Sequence, residues 1–86
     1  MYYVYFLKSS NHNYRYTGFT TDIKKRLTQH NEGMSKATKP YCPFELEAYI
    51  AVKNEQTAKN LERYFKTGSG IAFSRKRLLV YEALAK

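Results

Sequence analysis

Tyr2-Tyr3-Val4-Tyr5-Phe6-Leu7, followed after a polar interruption by Tyr14-Arg15-Tyr16-Thr17-Gly18-Phe19, is the stretch on which the fold turns. Both runs are dense in aromatic and β-branched residues, which suit the pleated, half-buried surface of a sheet. Between them Ser9-Ser10-Asn11-His12-Asn13 is a cluster of turn formers, so the runs predict an antiparallel hairpin. A turn centred between Ser10 and Asn11 sets Tyr5 directly opposite Tyr16. A one-residue slip would send the two rings to different faces.

Beyond the hairpin, Thr20 and Thr21 offer N-cap oxygens for a helix from Asp22 to Glu32. Asp22 in its first turn suits the positive end of the helix dipole, and Gly33 supplies a left-handed cap. Ile23 and Leu27 form its buried stripe, flanked by Arg26 and His30. Phe44, Leu46, Ala48, Ile50 and Val52 then alternate with Glu45, Glu47, Tyr49 and Ala51, the period of a strand. Asn54 caps a second helix from Glu55 to Thr67, with Ala58, Leu61 and Phe65 inward and Gly68 as its stop. A third helix begins between Ile71 and Ser74, ends near Leu84, and buries Leu78 and Leu79 with Tyr81 or Ala83. The order β-β-α-β-α-α predicts an α+β fold, a small, mainly antiparallel three-stranded sheet flanked by helices.

Eighty-six residues suit one domain spanning residues 1–86. Fifteen Lys and Arg against seven Asp and Glu give +8, yet 43% hydrophobic content argues against disorder. Cys42 is the only cysteine, and His12 and His30 are the only histidines, which excludes a disulfide framework and a cysteine-rich zinc site. Met1–Leu7 carries no charge but is far shorter than the ~20 apolar residues of a membrane span. With no signal segment after Met1, the expected compartment is the cytoplasm. The excess charge predicts a polyanionic partner, nucleic acid ahead of a membrane surface.

No P-loop, nucleophile elbow, C-x-x-C or H-E-x-x-H motif is present. Gly68-Ser69-Gly70 reads as a helix C-cap and turn, with a phosphate cradle as the lesser reading. What remains is a dispersed set: Tyr5, Tyr16, Gly18, Arg26, His30 and Glu62. Each has an ordinary reading. The tyrosines can be packing, Arg26 can pair with Asp22, His30 can be a surface residue, and Glu62 can pair with Lys66.

Their order and spacing resemble the GIY-YIG nuclease superfamily. Tyr3-Val4-Tyr5 occupies its first motif and Tyr16-Thr17-Gly18 its second. The stretch from Gly18 to His30 is similar to the small stand-alone bacterial members, and the domain resembles the nuclease domain of the nucleotide-excision-repair incision subunit. The likeness continues through Leu61-Glu62-Arg63-Tyr64-Phe65-Lys66. It implies divalent-metal-dependent cleavage of DNA phosphodiester bonds, with Mg²⁺ or Mn²⁺ as the cofactor. It also implies that Tyr5 and Tyr16 lie at the site and that one of them helps to activate the attacking water. By the same resemblance Arg26 binds the phosphate, His30 assists, and Glu62 holds the metal.

Physical chemistry accommodates these roles. A tyrosine of pKa about 10 needs positive charge nearby to act as a base, and Arg26 or a metal supplies it. Arg presents a planar, permanently charged fork to phosphate. A single carboxylate suits Mg²⁺, which keeps several waters. From Lys59 to Lys86 seven basic residues meet two Glu. Lys25, Arg63, Lys66, Arg75, Lys76 and Arg77 are therefore the expected phosphate-tracking groups. The chain departs from the family in having Tyr3 for glycine and Thr17 for an aliphatic residue. The polar residue, often Asn, that follows the metal-binding Glu in many members has no clear counterpart, with Ser74 near its spacing. The alternative reading is a catalytically weak or inactive nucleic-acid-binding module on the same fold.

Overall fold

Strand β1 (Tyr2–Ser9) lies between β2 (Arg15–Thr20) and β3 (Phe44–Val52), antiparallel to both, giving the sheet order β2-β1-β3. Three helices complete the fold: α1 (Ile23–Asn31), α2 (Glu55–Phe65) and α3 (Gly68–Arg77). The computed structural model describes residues 1–79 of the chain. Within them the α+β order β-β-α-β-α-α stands.

The hairpin register differs from the symmetric one. Tyr5 faces Gly18, and Tyr16 faces Leu7, because the turn sits one residue later than expected. Moving the turn by one residue changes the pairing by two, so both tyrosines keep the same face and meet diagonally. Their ring centroids are 6.2 Å apart.

The apolar alternation of β3 does not line one face. The ladder pairs Phe6 with Ala48 and Leu7 with Leu46, leaving Glu47 as an extra residue in a bulge. Ala48, Ile50 and Val52 pack with Val4, Phe6, Ala58 and Phe65 beneath α2. Phe44 instead joins Tyr5 and Leu7 on the α1 side. The sheet is therefore buried on both faces, as its almost uninterrupted hydrophobic central strand requires.

Local signals explain most helix ends. Asp22 is the N-cap of α1, its carboxylate accepting from Lys25 N at 3.0 Å. It is thus not a first-turn residue capped by a threonine; Thr20 Oγ1 accepts instead from Asp22 N at 3.1 Å. Gly33 has φ +73, as its capping role requires. Asn54 caps α2 by accepting from Thr57 N at 3.0 Å, a contact worth about 1 kcal/mol.

Gly68-Ser69-Gly70 is not a turn after α2 but the first turn of α3. Thr67 forms the joint, donating from Oγ1 to Tyr64 O at 2.6 Å and accepting from Gly70 N at 3.1 Å. A side chain at Gly70 would strike the Tyr64 carbonyl, so the helices meet this closely only over glycine. The third helix thus starts earlier than its apolar pattern implied and ends at Arg77. Leu78 and Leu79 pack on the α2-side core as expected, whereas Tyr81, Ala83 and Leu84 lie outside the described residues.

Candidate active site

The site forms where β1, β2 and α1 converge. Tyr5 Oη is 2.9 Å from His30 Nε2, and His30 Nδ1 is 2.8 Å from Thr38 Oγ1. Arg26 Nε donates to the same phenolic oxygen at 3.4 Å, and its Nη1 donates to Gln29 Oε1 at 3.1 Å. A continuous polar chain therefore runs Arg26–Tyr5–His30–Thr38 through the interior. Tyr5 is 2% exposed, while His30 and Thr38 are fully buried. The tilted Tyr16 ring covers His30, with centroids 5.1 Å apart, and Phe44 closes the opposite side at 6.0 Å.

Gly18 makes this geometry available. Its absent side chain leaves the space taken by the Tyr5 hydroxyl, and Tyr16 Cε2 lies 2.9 Å from where a Cβ would stand. Any other residue would push the phenol off β2 and away from its partners.

Burial raises the Tyr5 pKa above 10.0, helped by the nearby Tyr16 and Glu62. The hydrogen bond and charge of Arg26 pull in the opposite direction without cancelling burial. The expected activation of the phenol by Arg26 is thus outweighed in this structure, and Tyr5 holds its proton at neutral pH. Burial and, to a lesser extent, Arg26 lower the His30 pKa below 6.5, leaving the imidazole neutral at pH 7. The pairing joins a protonated phenol to an uncharged ring that has one nitrogen available as an acceptor.

Glu62 approaches from α2 on the far side of β2. Its carboxylate accepts from Lys66 Nζ at 3.1 Å, and that ammonium sits 5.6 Å from the Tyr16 ring centroid. Lys66 thereby links Glu62 to Tyr16, and the Glu62 charge also bears on Tyr5. The Glu62 side chain is 26% exposed, so it retains access to solvent. No group of three or more His, Cys, Asp or Glu converges among the described residues.

The basic groups lie along three clefts or outside them. Lys25 lines a shallow cleft with Arg26 and Gln29, and Arg63 lines another with Glu62 and Lys66. Lys66 and Arg75 border a groove of ≈ 350 Å³ that also holds Tyr16, Arg15 and the buried Ser74. Lys76 and Arg77 are exposed on α3 and line none of these three clefts. His30 is the main departure from its ordinary reading, because it is wholly interior and not a surface residue. Arg26 likewise departs from its ordinary reading, making its contacts with Tyr5 and Gln29 and not with the Asp22 side chain.

Two contributors escaped the sequence reading. Gln29 stands three residues after Arg26, a helical-neighbour spacing that was there to be used. Thr38 lies in the irregular segment before a single 3₁₀ turn at Lys39–Tyr41, where no periodicity points to it.

Fold and site together define a small α+β domain in which two tyrosines, an arginine and a histidine meet beside a motif glycine, with a glutamate on the neighbouring helix. The GIY-YIG catalytic domain matches residues 1–71, and the chain belongs to the GIY-YIG family. It is also similar to small bacterial proteins named UPF0213. The protein YsiG of Lactococcus lactis subsp. lactis is 39% identical over 66 residues, covering 76% of this chain and 62% of the relative. UPF0213 proteins of Lactococcus lactis subsp. cremoris and Streptococcus pyogenes serotype M5 are each 42% identical over 52 residues. Those matches cover 59% of this chain and 53% and 56% of the relatives, so the chain spans less than two-thirds of their length. No solved structure matches the chain. Among the described residues no helix is long and apolar enough to cross a membrane.

Proposed function

We propose that this chain is a divalent-metal-dependent endonuclease that hydrolyses DNA phosphodiester bonds. The observation that carries the reading is the buried chain Arg26–Tyr5–His30, bordered by Tyr16 and linked through Lys66 to Glu62. Arg26 stands at the phosphate, donating to its developing charge while holding Tyr5. With substrate bound, a water carried in at the phosphate gives a proton to Tyr5 Oη as the phenol passes its own proton to His30 Nε2. The hydroxide so formed attacks phosphorus, the P–O ester bond breaks, and the leaving oxygen takes a proton from solvent. The imidazolium then returns its proton to solvent through Tyr5.

The donor set fits a hard divalent cation. Glu62 offers carboxylate oxygens at a solvent-accessible rim, and a lone carboxylate suits an ion that keeps its waters and completes its shell with substrate oxygens. A divalent ion held by Glu62 would supply positive charge to the phosphoryl and leaving oxygens. Lys66, Arg75 and Lys25 border the approaches and suit sequence-independent phosphate contacts.

The test is cleavage of plasmid and branched DNA with Mg²⁺ or Mn²⁺, with EDTA and Glu62→Ala as controls. Metal-dependent product that disappears in Glu62→Ala supports the reading; equal cutting by Glu62→Ala and Arg26→Ala overturns it. The second reading, a binding module without cleavage, has one observation in its favour. Ser74, the residue nearest the expected Asn, spends its hydroxyl on Ile71 O at 2.9 Å. That reading predicts salt-sensitive binding without product at any enzyme concentration.

A further inference from the structure

Thr38 sits at the blind end of the polar chain, where neither solvent nor substrate reaches it. Its Oγ1 lies 2.8 Å from His30 Nδ1, and both residues are fully buried. Its backbone is held firmly: Thr38 N donates to Ser35 O at 3.2 Å, and Thr38 O accepts from Tyr41 N at 2.9 Å. The surrounding segment is pinned at two further points. Ser9 Oγ donates to Tyr41 O at 2.6 Å, and the Asn31 side chain accepts from Phe44 N at 2.6 Å and donates to Phe44 O at 3.2 Å. The hydroxyl is therefore held opposite Nδ1 by a segment that is pinned at several points.

Two proton arrangements satisfy the His30 contacts. In one, Nδ1–H donates to Thr38 and Nε2 accepts from Tyr5. In the other, Thr38 donates to Nδ1 and Nε2–H donates to Tyr5. Arg26 decides between them, because a guanidinium can only donate. Its Nε already donates to Tyr5 Oη. A second donor at that oxygen would leave the phenolic proton without an acceptor among the described hydrogen bonds of a residue 2% exposed. The first arrangement gives Tyr5 one donor and one acceptor, and the proton it leaves over is that of the Thr38 hydroxyl, which turns freely about its Cβ–Oγ1 bond, whereas the phenolic proton is held near the ring plane.

We infer that Thr38 is a positioning residue that locks His30 in its Nδ1–H tautomer, so that Nε2 is open to receive the Tyr5 proton. The inference rests on the proposed hydrolysis for its purpose but not for its measurement. A histidine side chain in water favours the Nε2–H form, so removing the Thr38 acceptor releases the ring toward the tautomer that donates to Tyr5. The partner on one ring nitrogen sets the role of the other. A relay with Nε2 already protonated has nowhere to send the phenolic proton.

The experiment is ¹⁵N NMR of the histidine ring nitrogens in the full chain, alongside Thr38→Val and Thr38→Ser. In the parent, His30 should show a protonated Nδ1 and a pyridine-like Nε2. Thr38→Val, close in shape, should shift the ring toward Nε2–H and lower kcat for DNA cleavage roughly 10- to 100-fold with KM nearly unchanged. Thr38→Ser keeps the acceptor and should restore both. A parent spectrum with Nε2 protonated overturns the inference without recourse to any variant. So does a folded Thr38→Val whose tautomer matches the parent. If the parent shows Nδ1–H and Thr38→Val shifts it while neither cleaves, the tautomer lock stands and only the nuclease reading fails.

Discussion

Gly18 pairs with Tyr5 across the β1–β2 ladder, and the space where its side chain would be is filled by Tyr5's own hydroxyl. The motif glycine is thus the floor on which the phenol rests, and it contributes shape without chemistry. Gly18→Ala should destabilise the protein by about 1–3 kcal/mol, the usual range for forcing an extra group into a packed site. Thermal or urea unfolding measures this, and on the proposed mechanism cleavage should fall further than stability because the displaced atom is the oxygen that takes the water's proton. Unchanged stability and activity would mean that the ring sidesteps freely.

Tyr5→Phe removes the hydroxyl but keeps the ring. His30 Nε2 then loses its buried partner at 2.9 Å, a loss expected to cost about 1–3 kcal/mol. Cleavage should drop by roughly 10²–10⁴-fold, the contribution of a positioned proton-transfer group. Single-turnover cleavage and denaturant titration on the same sample separate the two effects.

His30 governs the acid side. Its folded pKa lies below the ordinary 6.5, so below that pH the unfolded chain takes up a proton that the folded ring refuses. Stability is fully present above 6.5 and is lost as pH falls toward the lowered value. Tyr5 is the mirror case: its raised pKa holds stability below 10.0 and gives it up as pH rises beyond. Urea midpoints from pH 4 to 11 should decline at both ends, and His30→Gln should flatten the acid limb. Cleavage by the parent should likewise fall on the acid side, at a pH below 6.5.

Glu62 and Lys66 form an exposed pair one helical turn apart, a contact worth roughly 0.3–0.5 kcal/mol. Glu62→Ala should therefore leave the melting temperature nearly unchanged while abolishing metal-dependent cleavage. Lys66→Ala should weaken DNA binding about equally on all sequences and reduce the salt slope by about one. A loss confined to particular sequences would mark Lys66 as a base reader.

The fold was largely legible because its cues are local. Turn residues, N-caps at Asp22 and Asn54, and the stripe Ala58–Leu61–Phe65 each act within a few positions. The first turn of α3 was misread because Gly68 and Gly70 are poor helix formers, and only the tertiary crowding at Tyr64 explains their presence. Within the site, the motif residues could be found by resemblance, but their state could not. Their state depends on residues distant in sequence, Thr38 against His30 Nδ1 and Tyr41 packed on the cluster that holds Tyr5. Thr38 offers no periodic or compositional signal, since its role rests on where one hydroxyl ends up.

The single extra residue at Glu47 has a wider consequence. Because the ladder steps past it, Phe44 lies against His30 while Ala48, Ile50 and Val52 serve the opposite layer. Deleting it would exchange inside and outside for everything upstream in β3, and Phe44 would leave the wall of the histidine pocket. The enclosure of that pocket is thus specified partly by arithmetic: the tally of residues along an edge strand matters as much as their identity. Homologues in which this tally changes by one should be read as having a different histidine environment even where every motif letter agrees.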